Sequence, residues 1–186
     1  MTASNTARAG YDRSRGQIRP TGTERPWGTE EIIVSKTDLK GRLTYANDVF
    51  QRVAMMTTKE LIGQPHNIIR HPDMPRCVFK LLWDTLESKK EIFAYVLNIA
   101  KNGDHYWVLA HVTPSFDSKM NVIGYHSNRR KPDPEQIAKI KPLYDALLAE
   151  ELKHASPKDG LEASTRLLNE TLEKAGVSYD RFILSL

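Results

Sequence analysis

The chain of 186 residues has a single cysteine, no long apolar run and little excess of either charge. One thiol, Cys77, excludes an internal disulfide and any zinc site built from paired cysteines, as is typical of a reducing compartment. No stretch approaches the ~18 consecutive apolar residues of a membrane span, and the basic amino terminus lacks the apolar core of a signal peptide. We therefore expect a cytoplasmic protein without membrane insertion.

The charge is unevenly distributed. Lysine and arginine number 27 against 23 acidic residues, which gives a net charge of +4. Most of this excess falls in residues 1–28, a stretch that contains glycine, serine, threonine and proline and that cannot bury enough apolar surface to fold. We interpret residues 1–28 as a disordered basic tail. The rest is nearly neutral, which excludes a nucleic-acid-binding footprint, and its apolar content is sufficient for the core of one domain.

The pattern after the tail indicates two strands, several short helices and three further strands. Strands are predicted at 31–34, 42–45, 92–100, 105–113 and 122–127, with an Asn-Gly hairpin turn between the third and the fourth. Helices are predicted to begin at Asn47 or Asp48, at Thr57 or Thr58, and at Pro75. We predict an α+β architecture, with a five-stranded antiparallel sheet and small helices on one face.

Residues 132–186 are predicted to form a helical extension. Asp133-Pro134 and Ser156-Pro157 are helix starts, and Pro142 is expected to kink the first helix or to divide it in two. These amphipathic helices could pack on their own domain, on a second copy of the chain or on a separate protein. We expect them to relay a signal or to contact a partner.

A stiff polar turn, Arg70-His71-Pro72-Asp73-Met74-Pro75, separates two apolar segments. Its prolines prevent a continuous helix, so its polar side chains are fixed as in the wall of a ligand pocket. Alternatively, Asp73 caps the next helix and Arg70 pairs with it. No serine or cysteine nucleophile is placed beside these residues, and no glycine-rich phosphate loop is present, so we do not expect an enzyme.

Several strings resemble the PAS sensor domain of bacterial aerotaxis receptors. They are Ala46-Asn47-Asp48-Val49-Phe50, Gly63-Gln64-Pro65-His66-Asn67, the polar turn, and Lys101-Asn102-Gly103-Asp104-His105-Tyr106-Trp107-Val108. The resemblance implies a PAS domain at residues 29–131, followed by the extension at 132–186. It also implies noncovalently bound FAD that reports redox state or oxygen to a chemoreceptor-like or other signalling protein.

The same resemblance assigns cofactor contacts to Asn47, Arg70, His71, Asp73 and Asn98, with Trp83 and Tyr106 as the apolar wall. Arginine can satisfy phosphate or polar flavin groups, and asparagine offers both a donor and an acceptor. Core packing is the alternative for Trp83, and strand alternation leaves the face of Tyr106 open. The chain departs from the family in the third strand, where Ile92, Ile99 and Ala100 replace a tryptophan and two arginines.

Two other functions remain open. A haem-binding gas sensor would use the histidines as candidate ligands, namely His66, His71, His105, His111 and His126. A PAS interaction module without a ligand would act through its carboxy-terminal helices, and a homodimer is a further possibility.

Overall fold

The computed structural model describes residues 18–186, so residues 1–17 of the predicted tail lie outside it. A single antiparallel sheet has the strand order β2-β1-β5-β4-β3. Its strands are β1 (Ile33–Thr37), β2 (Leu43–Ala46), β3 (Ile92–Ile99), β4 (His105–Phe116) and β5 (Val122–Arg130). The predicted α+β fold with five antiparallel strands is confirmed.

One group of helices connects β2 to β3, and a second group follows β5. The first group comprises α1 (Asp48–Ala54), α2 (Thr58–Leu61), a 3-10 turn (His66–Ile69) and α3 (Arg76–Glu87). The second comprises α4 (Pro134–Leu152), α5 (Pro157–Ala175) and α6 (Tyr179–Leu184). Helix α4 runs unbroken through Pro142, so the predicted division in two is wrong. Burial of Ile140 and Tyr144 on either side of the proline offsets the one lost backbone hydrogen bond.

The cross-strand register defines an inner face of the sheet. Ala94, Ala110, Arg129 and Ile33 lie opposite one another in a row across β3, β4, β5 and β1. Phe50 of α1 lies against Arg129 in this row, so α1 covers the inner face. Because side chains alternate along a strand, every second residue from this row faces the same interior.

The carboxy-terminal helices pack on their own domain, which is one of the three arrangements considered above. The ring of Tyr144 in α4 stacks on Trp107, with 6.2 Å between ring centroids. By strand alternation Trp107 belongs to the outer face. The Tyr144 hydroxyl donates a 2.8 Å hydrogen bond to the carbonyl oxygen of Tyr95 in β3. Helix α4 is therefore anchored to the edge strand of the sheet.

The segment before β1 differs from the predicted tail. The carbonyl oxygen of His105 accepts a 2.7 Å bond from the Arg25 amide, and the His105 amide donates a 2.9 Å bond to Thr23. Trp27 is buried, with 6% of its surface exposed. The prediction of disorder therefore fails for residues 18–28, because backbone pairing with β4 and one buried indole hold the segment in place. Within residues 18–186, no helix is long and apolar enough to cross a membrane.

Candidate functional site

The polar turn lies along the outer edge of β3. Arg70 forms an isolated antiparallel bridge with Asn98, and the His71 amide donates a 3.4 Å hydrogen bond to the carbonyl oxygen of Leu97. The Arg70 guanidinium lies 4.1 Å from the centre of the Phe79 ring and donates a 3.3 Å bond to the carbonyl oxygen of Met74. These contacts hold the turn next to the strand that carries Asn98.

His71 and Asp73 occupy different environments within this turn. His71 is buried, and its Nδ1 accepts a 3.1 Å hydrogen bond from the Asp73 amide. A ring nitrogen that accepts a hydrogen bond carries no proton, so the Asp73 carboxylate, 3.8 Å away, does not make an ion pair through it. The Asp73 side chain is 55% exposed. Asp73 therefore lies at the exposed rim of the turn, whereas the His71 ring is buried against His105 of β4, with 6.2 Å between ring centroids.

Asn98 and Tyr106 lie opposite each other on β3 and β4, and both belong to the inner face. Asn98 is 3% exposed and Tyr106 is fully buried. This resolves the orientation of Tyr106 that the sequence leaves open. Within residues 18–186 the Tyr106 hydroxyl has no hydrogen-bond partner. Burial raises the pKa of Tyr106 well above its usual value, so the hydroxyl remains a donor.

Arg129 is the main site residue that sequence reasoning missed. It lies on the inner face of β5 with 2% of its surface exposed. Its Nη2 donates a hydrogen bond to Ser35 Oγ, and its guanidinium carbon lies 4.6 Å from the centre of the Phe50 ring. Its Nε and Nη1 have no partner in the described part of the chain. Burial lowers the pKa of Arg129 to about 10, which leaves it charged at neutral pH.

His66 completes a polar group beneath α1. Its Nε2 lies 3.2 Å from Ser35 Oγ, and its ring stacks on Phe50 with 6.0 Å between centroids. Burial, and then the nearby charge of Arg129, lower the pKa of His66 to about 3. The imidazole is therefore neutral at physiological pH. We call Ser35, His66, Tyr106 and Arg129 the interior polar cluster.

Two predicted contact residues lie apart from this cluster. The Asn47 side chain caps α1, because its Oδ1 accepts bonds from the amides of Phe50 and Val34 and its Nδ2 donates to Ile32. Trp83 packs edge-on against Tyr125, with 5.4 Å between ring centroids. Tyr125 pairs with Pro114 of β4, which is about 26 Å along the strand from Tyr106. Asn47 thus serves the β1–α1 junction, and Trp83 packs at the opposite end of the sheet.

The residues that depart from the family pattern do not all face the interior. Ile92 pairs with Val112 on the inner face, whereas Ile99, an odd-numbered residue of β3, faces outward. Ala100 is buried in the hairpin turn that follows. Ile92 therefore replaces a side chain that would line the interior, whereas Ile99 does not.

The histidine set of the haem alternative is also divided. His111 stacks on Phe93, and its Nε2 lies 2.7 Å from the Glu91 carboxylate on the outer face. By strand alternation, His105 and His126 face outward as well. Of the five candidate ligands, His66 is thus the one that contacts the interior polar cluster, whereas the His71 ring packs edge-on against the outward-facing His105, with 6.2 Å between ring centroids. A surface depression of about 370 Å³ lies elsewhere, beside α1, and is lined by Asp48, Gln51, Arg52, Met55, Met56 and Thr57.

Part of the sequence is shared with a known family and with known proteins. Residues 43–128 match the profile of the PAS fold. Over 124 residues the chain is 44% identical to the aerotaxis receptor of Escherichia coli (strain K12), an alignment that covers 67% of this chain and 24% of the receptor. It is 25% identical over 99 residues to the nitrogen fixation regulatory protein of Klebsiella pneumoniae, covering 53% of this chain and 20% of that protein.

Solved structures share the fold. A light-oxygen-voltage domain studied with a flavin analogue superposes with a TM-score of 0.54 at 17% identity, covering 60% of this chain and 83% of that one. A PAS domain from Colwellia psychrerythraea gives 0.50 at 18% identity, covering 54% and 86%. Together, the sheet order, the profile match and the shared sequence show that the chain contains a PAS-fold domain, similar in sequence to part of the aerotaxis receptor.

Proposed function

We propose that this PAS domain binds FAD noncovalently and reports its redox state, or oxygen through it, to a separate signalling protein in the cytoplasm, in the manner of aerotaxis or energy taxis. The proposal makes the chain a sensor and not an enzyme. It rests on one structural observation, the unsatisfied donors of the interior polar cluster, and on the 44% identity to the aerotaxis receptor.

The interior polar cluster is the kind of site that a ligand with hydrogen-bond acceptors would complete. Leaving buried donors unpaired costs about 1–3 kcal/mol each, so a fold that carries several of them gains by binding a matching group. In the described residues, Arg129 contributes two such N–H groups and Tyr106 one O–H group. The isoalloxazine ring carries carbonyl and ring-nitrogen acceptors along one edge, which match these donors.

The surrounding residues also fit a flat ring. Ala110, beside Arg129, and Ala94, beyond Ala110 in the same row, extend only a methyl group into the interior. Asn98 offers both a donor and an acceptor near Tyr106, and the turn that carries Arg70 and His71 borders the same strand. When bound, a flavin supplies reversible electron uptake, which changes the charge and donor pattern of its ring. The role of the protein side chains is to bind, to orient and to exclude water.

An absorption spectrum tests the proposal directly. Protein purified after expression with riboflavin supplied should show flavin bands in air that bleach on addition of dithionite. Arg129→Met should lose those bands while remaining folded, because the substitution removes the buried donors. A Soret band in place of flavin bands would support the haem alternative. Absence of any chromophore, together with no binding of added FAD, would leave the ligand-free interaction module and refute the proposal.

A further inference from the structure

Glu151 of α4 is a buried carboxylate that does not belong to the interior polar cluster. Its side chain is 5% exposed, although glutamate is rarely buried unless it is paired. Its Oε1 accepts hydrogen bonds from the amides of Arg76, at 2.7 Å, and Cys77, at 3.0 Å. The same oxygen accepts a 2.9 Å bond from Ser164 Oγ of α5. One carboxylate thus joins three separate helices.

The Glu151 carboxylate binds the first amides of α3, immediately after the polar turn. The N-cap residue of α3 is Pro75, which has no side-chain acceptor, so the first amides of the helix need an acceptor from elsewhere. Glu151 supplies that acceptor from α4, and its negative charge is favourable at the positive end of the helix dipole. The Arg76 guanidinium also reaches Glu151, with Nε 3.4 Å from Oε2, and donates to the carbonyl oxygen of Pro157.

The polar turn is linked through Met74 to the start of α3 that Glu151 caps. Met74 is 1% exposed, its carbonyl oxygen accepts from Arg70, and its Sδ lies 3.5 Å from the amide nitrogen of Leu97 in β3. A shift of the start of α3 would therefore move Met74, and with it Arg70 beside Asn98. Tyr144 lies seven residues before Glu151 and donates a hydrogen bond to β3. Helix α4 therefore contacts β3 on one side of the turn and α3 on the other, through side chains two helical turns apart.

We propose that Glu151 is a positioning residue for the ligand site: from the carboxy-terminal extension it caps α3 and thereby holds residues 70–77 in the arrangement that binds the ligand. This assignment rests on the proposed function for the identity of the ligand. The cap itself is a property of the protein without ligand. Because coupling between sites is reciprocal, ligand binding at the turn would in turn change how firmly α4 is held.

The test compares three variants of the full chain with the wild type. Glu151→Ala removes every acceptor, whereas Glu151→Gln retains one oxygen and is the conservative variant. Glu150→Ala changes the preceding residue, whose carboxylate contacts Lys153 and His154 on the exposed side, and serves as the control. Two readouts apply to each: amide hydrogen exchange across residues 70–77 without ligand, and the dissociation constant for added FAD.

We expect Glu151→Ala to speed exchange at Arg76 and Cys77 by about tenfold or more and to weaken FAD binding by about 5- to 50-fold, with Glu151→Gln intermediate and Glu150→Ala unchanged. If exchange rises in Glu151→Ala but its FAD affinity is unaltered, Glu151 stabilises only the start of α3 and the inference is overturned. Unaltered exchange overturns it as well. If the wild type binds no FAD while exchange still rises in Glu151→Ala and not in Glu150→Ala, the positioning of the turn stands and the proposed function fails.

Discussion

Replacing Arg129 by methionine should weaken ligand binding strongly while changing the stability of the ligand-free protein only slightly. Lowering of the pKa of Arg129 from 12.5 to about 10 corresponds to a penalty of roughly 3 kcal/mol on its charged form in the folded protein. Methionine has a similar length and no donors, so this penalty disappears. The substitution also loses the charge-assisted bond to Ser35, worth about 1.5–3 kcal/mol, and the buried contact with Phe50, worth about 2 kcal/mol. We therefore expect ligand-free Arg129→Met to be less stable than the wild type by about 0.5–2 kcal/mol.

Urea unfolding of the ligand-free proteins measures this difference, and titration with FAD measures the other half of the prediction. Loss of charge-assisted bonds to the ligand, at about 1.5–3 kcal/mol each, should weaken binding by at least tenfold. Arg130→Met is the matched control, because Arg130 is the exposed neighbour on the opposite face of β5. Destabilisation of ligand-free Arg129→Met by more than about 3 kcal/mol would refute the reasoning, since the desolvation penalty of the guanidinium would then be too small to offset its contacts with Ser35 and Phe50.

Three further substitutions test single contacts. Asn47→Ala should destabilise the ligand-free protein by about 2 kcal/mol in urea unfolding, because three backbone bonds are lost. The pKa of His66 is lowered to about 3 in the folded protein, below that of the unfolded chain, so His66 contributes stability above pH ~6.5 that is lost as the pH falls. In His66→Gln, the free energy of unfolding should therefore fall less steeply between pH 6 and 4, by up to about 1.4 kcal/mol per pH unit. Gly160→Ala places a Cβ 2.5 Å from the Glu151 carbonyl oxygen and should cost about 1–3 kcal/mol in thermal unfolding, whereas Glu162→Ala should not.

Local patterns in the sequence were sufficient to predict the order of the five strands and the starts of α1 to α5, whereas α6 was not predicted as a helix. The Asn102-Gly103 signal marks the β3–β4 hairpin, and Ser156-Pro157 with Gly176 brackets α5. The structure extends β5 to Arg130, beyond the predicted end at 127. That end was missed because serine, asparagine and arginine alternate there without an apolar partner, which is the pattern of a solvated strand end.

The same polar pattern concealed Arg129. Ser127 and Arg129 share the inner face with Tyr125, and in an ordinary half-buried strand a face with two polar residues would be assigned to solvent. The assignment is reversed here because α1 covers that face and places Phe50 over the guanidinium. The burial of Arg129 follows from strand pairing, because Arg129 lies between Ile33 of β1 and Ala110 of β4. Cross-strand register of this kind is not encoded in any local window.

The residue that caps α3 is a second feature that local sequence patterns do not reveal. From the sequence, Asp73 stands where a capping residue is expected, close before the helix begins. In the structure its side chain points toward solvent at the rim, and the acceptor for the Arg76 and Cys77 amides is Glu151, which lies 75 residues away from Arg76 along the chain. A local acceptor would have removed this link between the turn and α4. Because the acceptor comes from α4, any rearrangement of the turn changes the free energy with which α4 is held, and the extension is thereby placed to respond to the site.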